Sequence, residues 1–407
     1  MAGFLNRARA ARLMREAQLD ALVLMQPETV RWASGADPGV AASWRRAGAA
    51  AIIAPADPAA PLAAVVGDLQ ALDFQARSGI ERVRTHPIWV ETSELSAADR
   101  AGDWRAALAK QSARRPTTFD ARQAIGHISE LLGALAKSRI GVEESFLSVA
   151  DARLVRDALP GATLIDCSSI VQRLRIVKHS MEIEWLTLAA SAAETGLRAL
   201  LAALRVGMTT AEMTRVWREA ALAEAARLGA PQPVSAWAYI AVGEDGFAPG
   251  GPARPGDIIK IDVGCVVNGY SSDGARTVVL GEPSPIAASI HHALLDAFLA
   301  ARGELKPGAP LSRIHARAME AMRDAGFPGY SRGHFGHSCG ASIWSEEWPF
   351  IGADEPTELE AGMVIALETP WYVRGVGGFI IEDQFALTDR GAKSAWTLPH
   401  ELIALPA

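Results

Sequence analysis

Apolar residues at helical spacing open the chain. Leu13, Met14 and Ala17 form a stripe over Arg7 to Gln18 and predict an amphipathic helix. The pattern then shortens. Leu19 to Met25, Ala49 to Pro55 and Leu62 to Val66 are compact apolar runs, the last two divided by the turn-rich Pro55-Ala56-Asp57-Pro58, and each predicts a buried strand. Helical spacing returns at Asp103 to Gln111 and Ser148 to Leu159, with strand runs at Arg139 to Glu143 and Thr163 to Asp166. Alternating strands and helices predict an α/β domain over residues 1–170. Past this point the helices lengthen. One is predicted from Ser180, its expected N-cap, to about Leu204, with Glu182 and Glu184 favoured in its first turn by the helix dipole. A second, behind a threonine cap at Thr209 or Thr210, runs to Leu228. Ile258 to Val263 and Tyr270 to Leu280 then read as two strands joined by the hairpin signal Asn268-Gly269. Pro285 to Leu305 and Leu311 to Ala325 form a further helix pair, and strands with turns close the chain. Residues 171–407 therefore predict an α+β domain.

Composition narrows the class. At 407 residues two domains are expected, and 49% apolar with 21% charged residues describes an ordinary globular protein. A net charge of -6 with scattered Arg and Lys argues against nucleic acid as a partner. No apolar window of membrane-spanning length appears, and the start lacks an apolar signal core, so neither a membrane nor export is expected. Cys167, Cys265 and Cys339 are odd in number and far apart, which suits a reduced, cytoplasmic protein.

Candidate chemistry sits in the second half. The hairpin folds Asp262 and Asp273 towards each other, both set into apolar runs where an unpaired carboxylate is costly. Such a pair needs a cation between the acids, a shared proton or an arginine; in the plainer alternative one acid is exposed and the other pairs with Arg276. Three further islands carry His337 among glycines, Glu368 at the end of the run Met363 to Leu367, and Glu382 after Phe379-Ile380-Ile381. Four carboxylates and one imidazole suit two divalent ions such as Mn, Co, Fe or Zn. Two such ions can share a water, lower its pKa and polarise a carbonyl. In the first half, Arg45, Arg46 and His86 are expected to serve the surface rather than a substrate.

The islands, in this order, resemble the pita-bread metallopeptidase superfamily of aminopeptidase P, prolidase, methionine aminopeptidase and creatinase. The similarity extends to Arg12-Leu13, Leu19 to Leu24 and Val30 to Gly35 at the start, and to Arg175-Ile176-Val177-Lys178-His179-Ser180-Met181-Glu182-Ile183-Glu184 at the joint. It implies a creatinase-type N-terminal domain before a pita-bread catalytic domain, and a dimer. It also implies metal ligation by Asp262, Asp273, His337, Glu368 and Glu382, with Glu382 bridging and Glu368 doubling as general base. The implied activity is that of a dinuclear metallohydrolase of the Xaa-Pro dipeptidase or creatinase type, cleaving a C–N bond of a small molecule or dipeptide.

The pocket departs from the pattern. Where the family's further histidines are expected, this chain carries Asp245, Gly333 and Trp344, or Glu346 if two residues are inserted; His334 stands one place off. Losing such donors, each worth about 2.7–4 kcal/mol in a transition state, points to a changed substrate. A cationic or amidine-like group is expected to meet Glu346 or Glu347, with Trp344, Trp348 and Trp371 offering aromatic faces and His334 a proton. Cys339 reads as a packed residue rather than a nucleophile. The alternatives are a lyase on the same scaffold, similar to dimethylsulfoniopropionate lyases, and a binding protein that kept the fold.

Overall fold

The computed structural model describes residues 3–89, 93–111, 118–341 and 346–407. The chain divides into two compact units, Met1–Arg175 and Ile176–Ala407. The first holds strands β1 (Ala21–Leu24), β2 (Ala51–Pro55), β3 (Ala63–Gly67), β4 (Arg82–His86), β5 (Arg139–Val142) and β6 (Thr163–Asp166). They form one mixed sheet in the order β4-β3-β2-β1-β5-β6. Its helices are α1 (Arg7–Glu16), α2 (Pro27–Ser34), α3 (Ala71–Ser78), α4 (Ala97–Ala101), α5 (Trp104–Gln111), α6 (Ala121–Leu132), α7 (Val149–Ala158) and α8 (Ser168–Arg175). Because side chains alternate along a strand, β1 feeds two cores. Leu22 and Leu24 join one with Leu13, Trp32 and Phe74, while Ala21 and Val23 join the other with Ile125, Ile128 and Val155.

Several of the charged groups this unit buries are matched by partners. Glu143 accepts from Met25 N, Gln26 N and Thr29 Oγ1 at 2.7–3.0 Å, capping the entry to α2, while burial pushes its carboxyl above the usual range. Arg45 pairs with Glu28 and Arg46 with Asp151. His86 corrects its expectation: it is 1% exposed, with Nε2 3.0 Å from the Ala49 carbonyl. β4 was missed because Arg82-Val83-Arg84-Thr85 carries little apolar signal, only His86 being buried.

In the second unit, α9 (Ser180–Ala203) and α10 (Thr210–Arg227) pack together, as do α11 (Pro285–Arg302) and α12 (Leu311–Asp324). The cap of α9 is His179, not Ser180: its side chain accepts from Met181 N while Glu182 accepts from His179 N, a reciprocal capping box one residue earlier than expected. Thr209 caps α10 in the same manner.

The strands are β7 (Val234–Val242), β8 (Ile258–Val267), β9 (Tyr270–Ser271), β10 (Gly274–Leu280), β11 (His334–Ser338), β12 (Glu347–Gly352), β13 (Val364–Glu368), β14 (Trp371–Val373), β15 (Gly377–Phe379), β16 (Glu382–Thr388), β17 (Gly391–Ser394) and β18 (Ile403–Leu405). A ten-stranded sheet runs β12-β11-β13-β16-β10-β8-β7, with β9, β17 and β18 joined beside it; β14 and β15 form a separate ribbon. Helices α11 and α12 supply Leu294, Phe298, Ile314 and Met322 to a core shared with Phe335, Ile365, Leu367 and Phe385 of the sheet. The result is an α+β fold.

Candidate metal centre

Asn268 and Gly269 take φ of 49° and 85°, as a two-residue hairpin turn requires. The turn sets the register of β8 against the returning strand: Val266 faces Ser271 and Asp262 faces Ala275. The return is not one strand, because Ser272 and Asp273 break it between β9 and β10. Ser272 there exchanges hydrogen bonds with Cys265, its Oγ accepting from Cys265 N at 3.1 Å and its N–H donating to the Cys265 carbonyl.

Neighbouring strands bring the other acids up. Ala275 pairs with Glu382 of β16, Glu382 with Glu368 of β13, and His337 of β11 with Ala366 of β13. Asp273, His337 and Glu382 are each buried and offer ligand atoms that all lie within 4.8 Å of one another. His337 Nε2 is 3.6 Å from Asp273 Oδ2 and 4.0 Å from Glu382 Oε1. Its Nδ1 lies 3.1 Å from the Ser338 carbonyl, so a proton on Nδ1 leaves the Nε2 lone pair directed at the two carboxylates.

The electrostatics of this end call for a cation. Burial, and then the charges of Asp273, Glu368 and Asp262, push the Glu382 carboxyl well above the usual range. Two buried carboxylates with an imidazole form a hard oxygen–nitrogen donor set, which fits a divalent ion.

The other two acids are already paired. Asp262 Oδ2 lies 3.3 Å from Lys260 Nζ, and Glu368 Oε1 lies 2.7 Å from Arg332 Nη2. Burial pushes the Asp262 carboxyl up to about 6, with Lys260 opposing and Glu368 adding to the rise. Burial lowers the Lys260 ammonium, but Asp262, Tyr372 and Glu382 together outweigh it and the net shift is upward. The Lys260 ammonium also stands 5.6 Å from the Tyr372 ring centroid and 6.0 Å from that of Phe247. Tyr239, directly across from Asp262 on β7, is largely exposed.

Arg276 does not pair with either hairpin acid. It is 1% exposed and donates to the Glu382 and Ala275 carbonyls, to Asp383 Oδ1 at 2.8 Å, and to the carbonyls of Leu398 and Pro399. Asp383 is held on its other oxygen by His400 Nε2 at 2.7 Å. This network fastens β10 to β16, the strands beside Asp273 and bearing Glu382.

The remaining candidates divide. His334 Nδ1 is 3.5 Å from Glu368 Oε1 and accepts from Gly336 N at 3.3 Å; burial lowers its imidazole. Glu346 is exposed, and its charge acts on the His334 ring. Glu347 sits opposite Ser338, and Trp348 donates from Nε1 to Glu355 at 3.0 Å. Trp371 packs edge-on against Phe327 and Tyr330, both at 5.1 Å. Trp344 lies outside the described residues. Burial raises the thiol of Cys339 well above its ordinary value, consistent with a packed residue.

Lys260, Arg332 and the aromatics Tyr239, Phe247 and Tyr372 were missed from sequence. Lys260 was within reach, because two residues before Asp262 on a strand is the same face. Arg332 was not, because its partner comes from a strand thirty-six residues on.

Comparison with known proteins agrees with this geometry. Residues 184–389 match the family model described as metallopeptidase family M24, and residues 7–177 match that of the creatinase/prolidase N-terminal domain. A putative dipeptidase, YkvY of Bacillus subtilis, is 29% identical over 271 residues, covering 65% of this chain and 73% of its own length. The Xaa-Pro dipeptidase of Pyrococcus furiosus is 30% identical over 234 residues, 58% of this chain and 67% of its own. Dipeptidase PepE from Mycobacterium ulcerans, a solved structure, aligns with a TM-score of 0.76 at 26% identity, over 98% of this chain and 97% of that one.

Proposed function

Because the chain belongs to metallopeptidase family M24, whose members use divalent metals, we propose that it is a two-ion dipeptidase cleaving the C–N bond of a small Xaa-Pro-type substrate. The observation that carries this reading is the convergence of Asp273, His337 and Glu382, with Asp262 and Glu368 alongside, in the segment that matches the family. In the reading Asp273, His337 Nε2 and Glu382 hold one ion of the Mn, Co, Fe or Zn class, and Asp262 and Glu368 extend the set to a second. When bound, such ions supply Lewis acidity, making a water more acidic and a carbonyl more electrophilic.

The chain's own groups do the rest. Glu368 accepts the proton of the attacking water, and the Arg332 bond at 2.7 Å fixes which of its oxygens stays turned to that task. His334, with Nδ1 accepting from Gly336 N, carries its proton on Nε2 when neutral and can donate a hydrogen bond from there to the substrate. Arg332 and Lys260 suit a substrate with a carboxylate terminus better than the cationic or amidine-like group expected from Glu346 and Glu347. The family resemblance supports a cytoplasmic homodimer, which light scattering and cell fractionation test.

The decisive experiment measures metal content and turnover on Xaa-Pro dipeptides, creatine and a sulfonium propionate, with and without chelator. Chelator-sensitive dipeptide hydrolysis is expected. Asp262→Ala and Glu382→Ala should lose it, and Glu382→Ala should also lose metal. Both variants keeping full metal and activity, or an alkene product from the sulfonium, would overturn the reading.

A further inference from the structure

The sheet that carries the candidate ligands has a back, and one segment of the chain is built against it. Gly274 of β10 pairs directly with Asp383 of β16, and the neighbouring pair is Ala275 with Glu382. Side chains alternate between the faces of a strand, so Asp383 points away from the acids that Glu382 joins. Residues 396–400 reach both members of the Gly274–Asp383 pair from that opposite face. The Trp396 ring occupies the place of a side chain on Gly274, where a Cβ would come within 2.2 Å of it. His400 Nε2 lies 2.7 Å from Asp383 Oδ2. Gly274 directly follows Asp273 in the chain, as Asp383 directly follows Glu382.

The segment is itself firmly held, although it belongs to no helix or strand. Glu194, buried on α9, accepts from Thr397 N at 2.8 Å, from Thr397 Oγ1 at 3.0 Å and from Leu398 N. The Leu398 and Pro399 carbonyls each accept from Arg276 at 2.8 Å, and the Arg276 guanidinium stands 6.0 Å from the centre of the Trp396 ring. His400 lies against Phe298 of α11, the ring centroids 4.7 Å apart. Trp396 is 5% exposed. Irregular backbone stays in one place only when its polar groups are satisfied from outside, and here α9, β10 and β16 do so.

Resting on the metallopeptidase reading, we infer that residues 396–400 form a strap that positions the candidate ligands Asp273 and Glu382, with Trp396 and His400 as its positioning residues. Trp396 presses on the residue after Asp273 and fixes the backbone from which that carboxylate starts. His400 anchors Asp383 and so fixes the backbone from which Glu382 projects. Neither residue belongs to the acid cluster; both act on it from behind the sheet. A metal constellation works only when its groups are held within about 0.5 Å of the productive geometry, so a small relaxation behind the sheet is felt at the ion.

The test uses chelator-stripped full-length protein and three readouts. Calorimetry gives Mn2+ affinity, the electron paramagnetic resonance line shape of bound Mn2+ reports the geometry around the ion, and urea unfolding gives the stability of the metal-free chain. Trp396→Ala should weaken Mn2+ binding by roughly ten- to a hundredfold and alter the line shape. Trp396→Phe keeps a ring against Gly274 and should stay near the unaltered protein; Trp396 Nε1 has no hydrogen-bond partner among the described residues, so the exchange removes no bond. His400→Ala should weaken binding about tenfold, and His400→Gln, still a donor to Asp383, should restore most of it. The His400 side chain is 17% exposed, so its variants carry the test if Trp396→Ala does not fold. Alanine variants that lose metal-free stability while keeping Mn2+ affinity and line shape would reduce the strap to a brace and overturn the inference, leaving the metallopeptidase reading standing. Failure of the unaltered protein to bind any Mn2+ would overturn both.

Discussion

Arg276 shows how a single residue holds a candidate ligand in place without joining the acid cluster. It bonds the Glu382 carbonyl and the Asp383 carboxylate together, so the strand carrying Glu382 cannot shift without breaking a buried ion pair. Removing one partner of such a pair leaves the other charged and desolvated, at a typical cost of about 3–5 kcal/mol. Arg276→Met is therefore expected to lower unfolding free energy by about that amount in urea titrations, with Asp383→Asn milder because an amide still accepts from the guanidinium. His291 makes a second case. It is buried on α11, its Nε2 has no hydrogen-bond partner among the described residues, and burial pushes its imidazole down to about 4. An unfolded histidine titrates near 6.5, so the unfolded chain binds the proton first as pH falls. Stability from this residue is therefore present above pH 6.5 and lost between there and about pH 4, by roughly 3 kcal/mol in all. His291→Gln should flatten that part of the stability–pH curve; an unchanged slope would show that the ring is not held neutral.

Elements decide where the candidate ligands stand, and here the sequence was readable in proportion to how local the signal was. The Asn268-Gly269 turn and the apolar runs of β8 and β13 were legible, because turn chemistry and a continuous buried run are written in adjacent residues. The break at Ser272-Asp273 was not, because it depends on Ser272 finding Cys265 across the hairpin. β7 escaped notice for a related reason: its first six residues are half-buried or exposed without alternation, so its pattern lacks contrast. The order of the ligand islands was legible, whereas the pairing of Asp262 and Glu368 with Lys260 and Arg332 arises from side-chain packing that spacing does not encode. Gly336 carries the strongest local demand. With φ at 135° and the Ala366 carbonyl where a Cβ would go, β11 can approach β13 only as glycine. Gly336→Ala is expected to push the strands apart and move His337, so Mn2+ affinity should fall at least tenfold while the far-ultraviolet spectrum stays near native. Unchanged affinity would mean that His337 is not a ligand or that the strand absorbs the shift.

At the scale of the molecule, the chain keeps separate hydrophobic cores: two flank the sheet of Met1–Arg175, and another lies between the helices and sheet of Ile176–Ala407. Every candidate ligand belongs to the second unit. An ion that binds the native state alone stabilises it by RT ln(1 + [L]/Kd), or about 2.7 kcal/mol at a hundred times Kd. Since the strands β8, β10, β11, β13 and β16 around the candidate ligands are contiguous in one sheet, that stabilisation should spread along their backbone hydrogen bonds and not into the strands of the first unit. Hydrogen exchange with and without Mn2+ checks this. Protection is expected to rise in peptides from β8, β10, β11, β13 and β16, and to stay level across β1 to β6. Equal gains in both units would show that the first unit's stability is coupled to the metal centre.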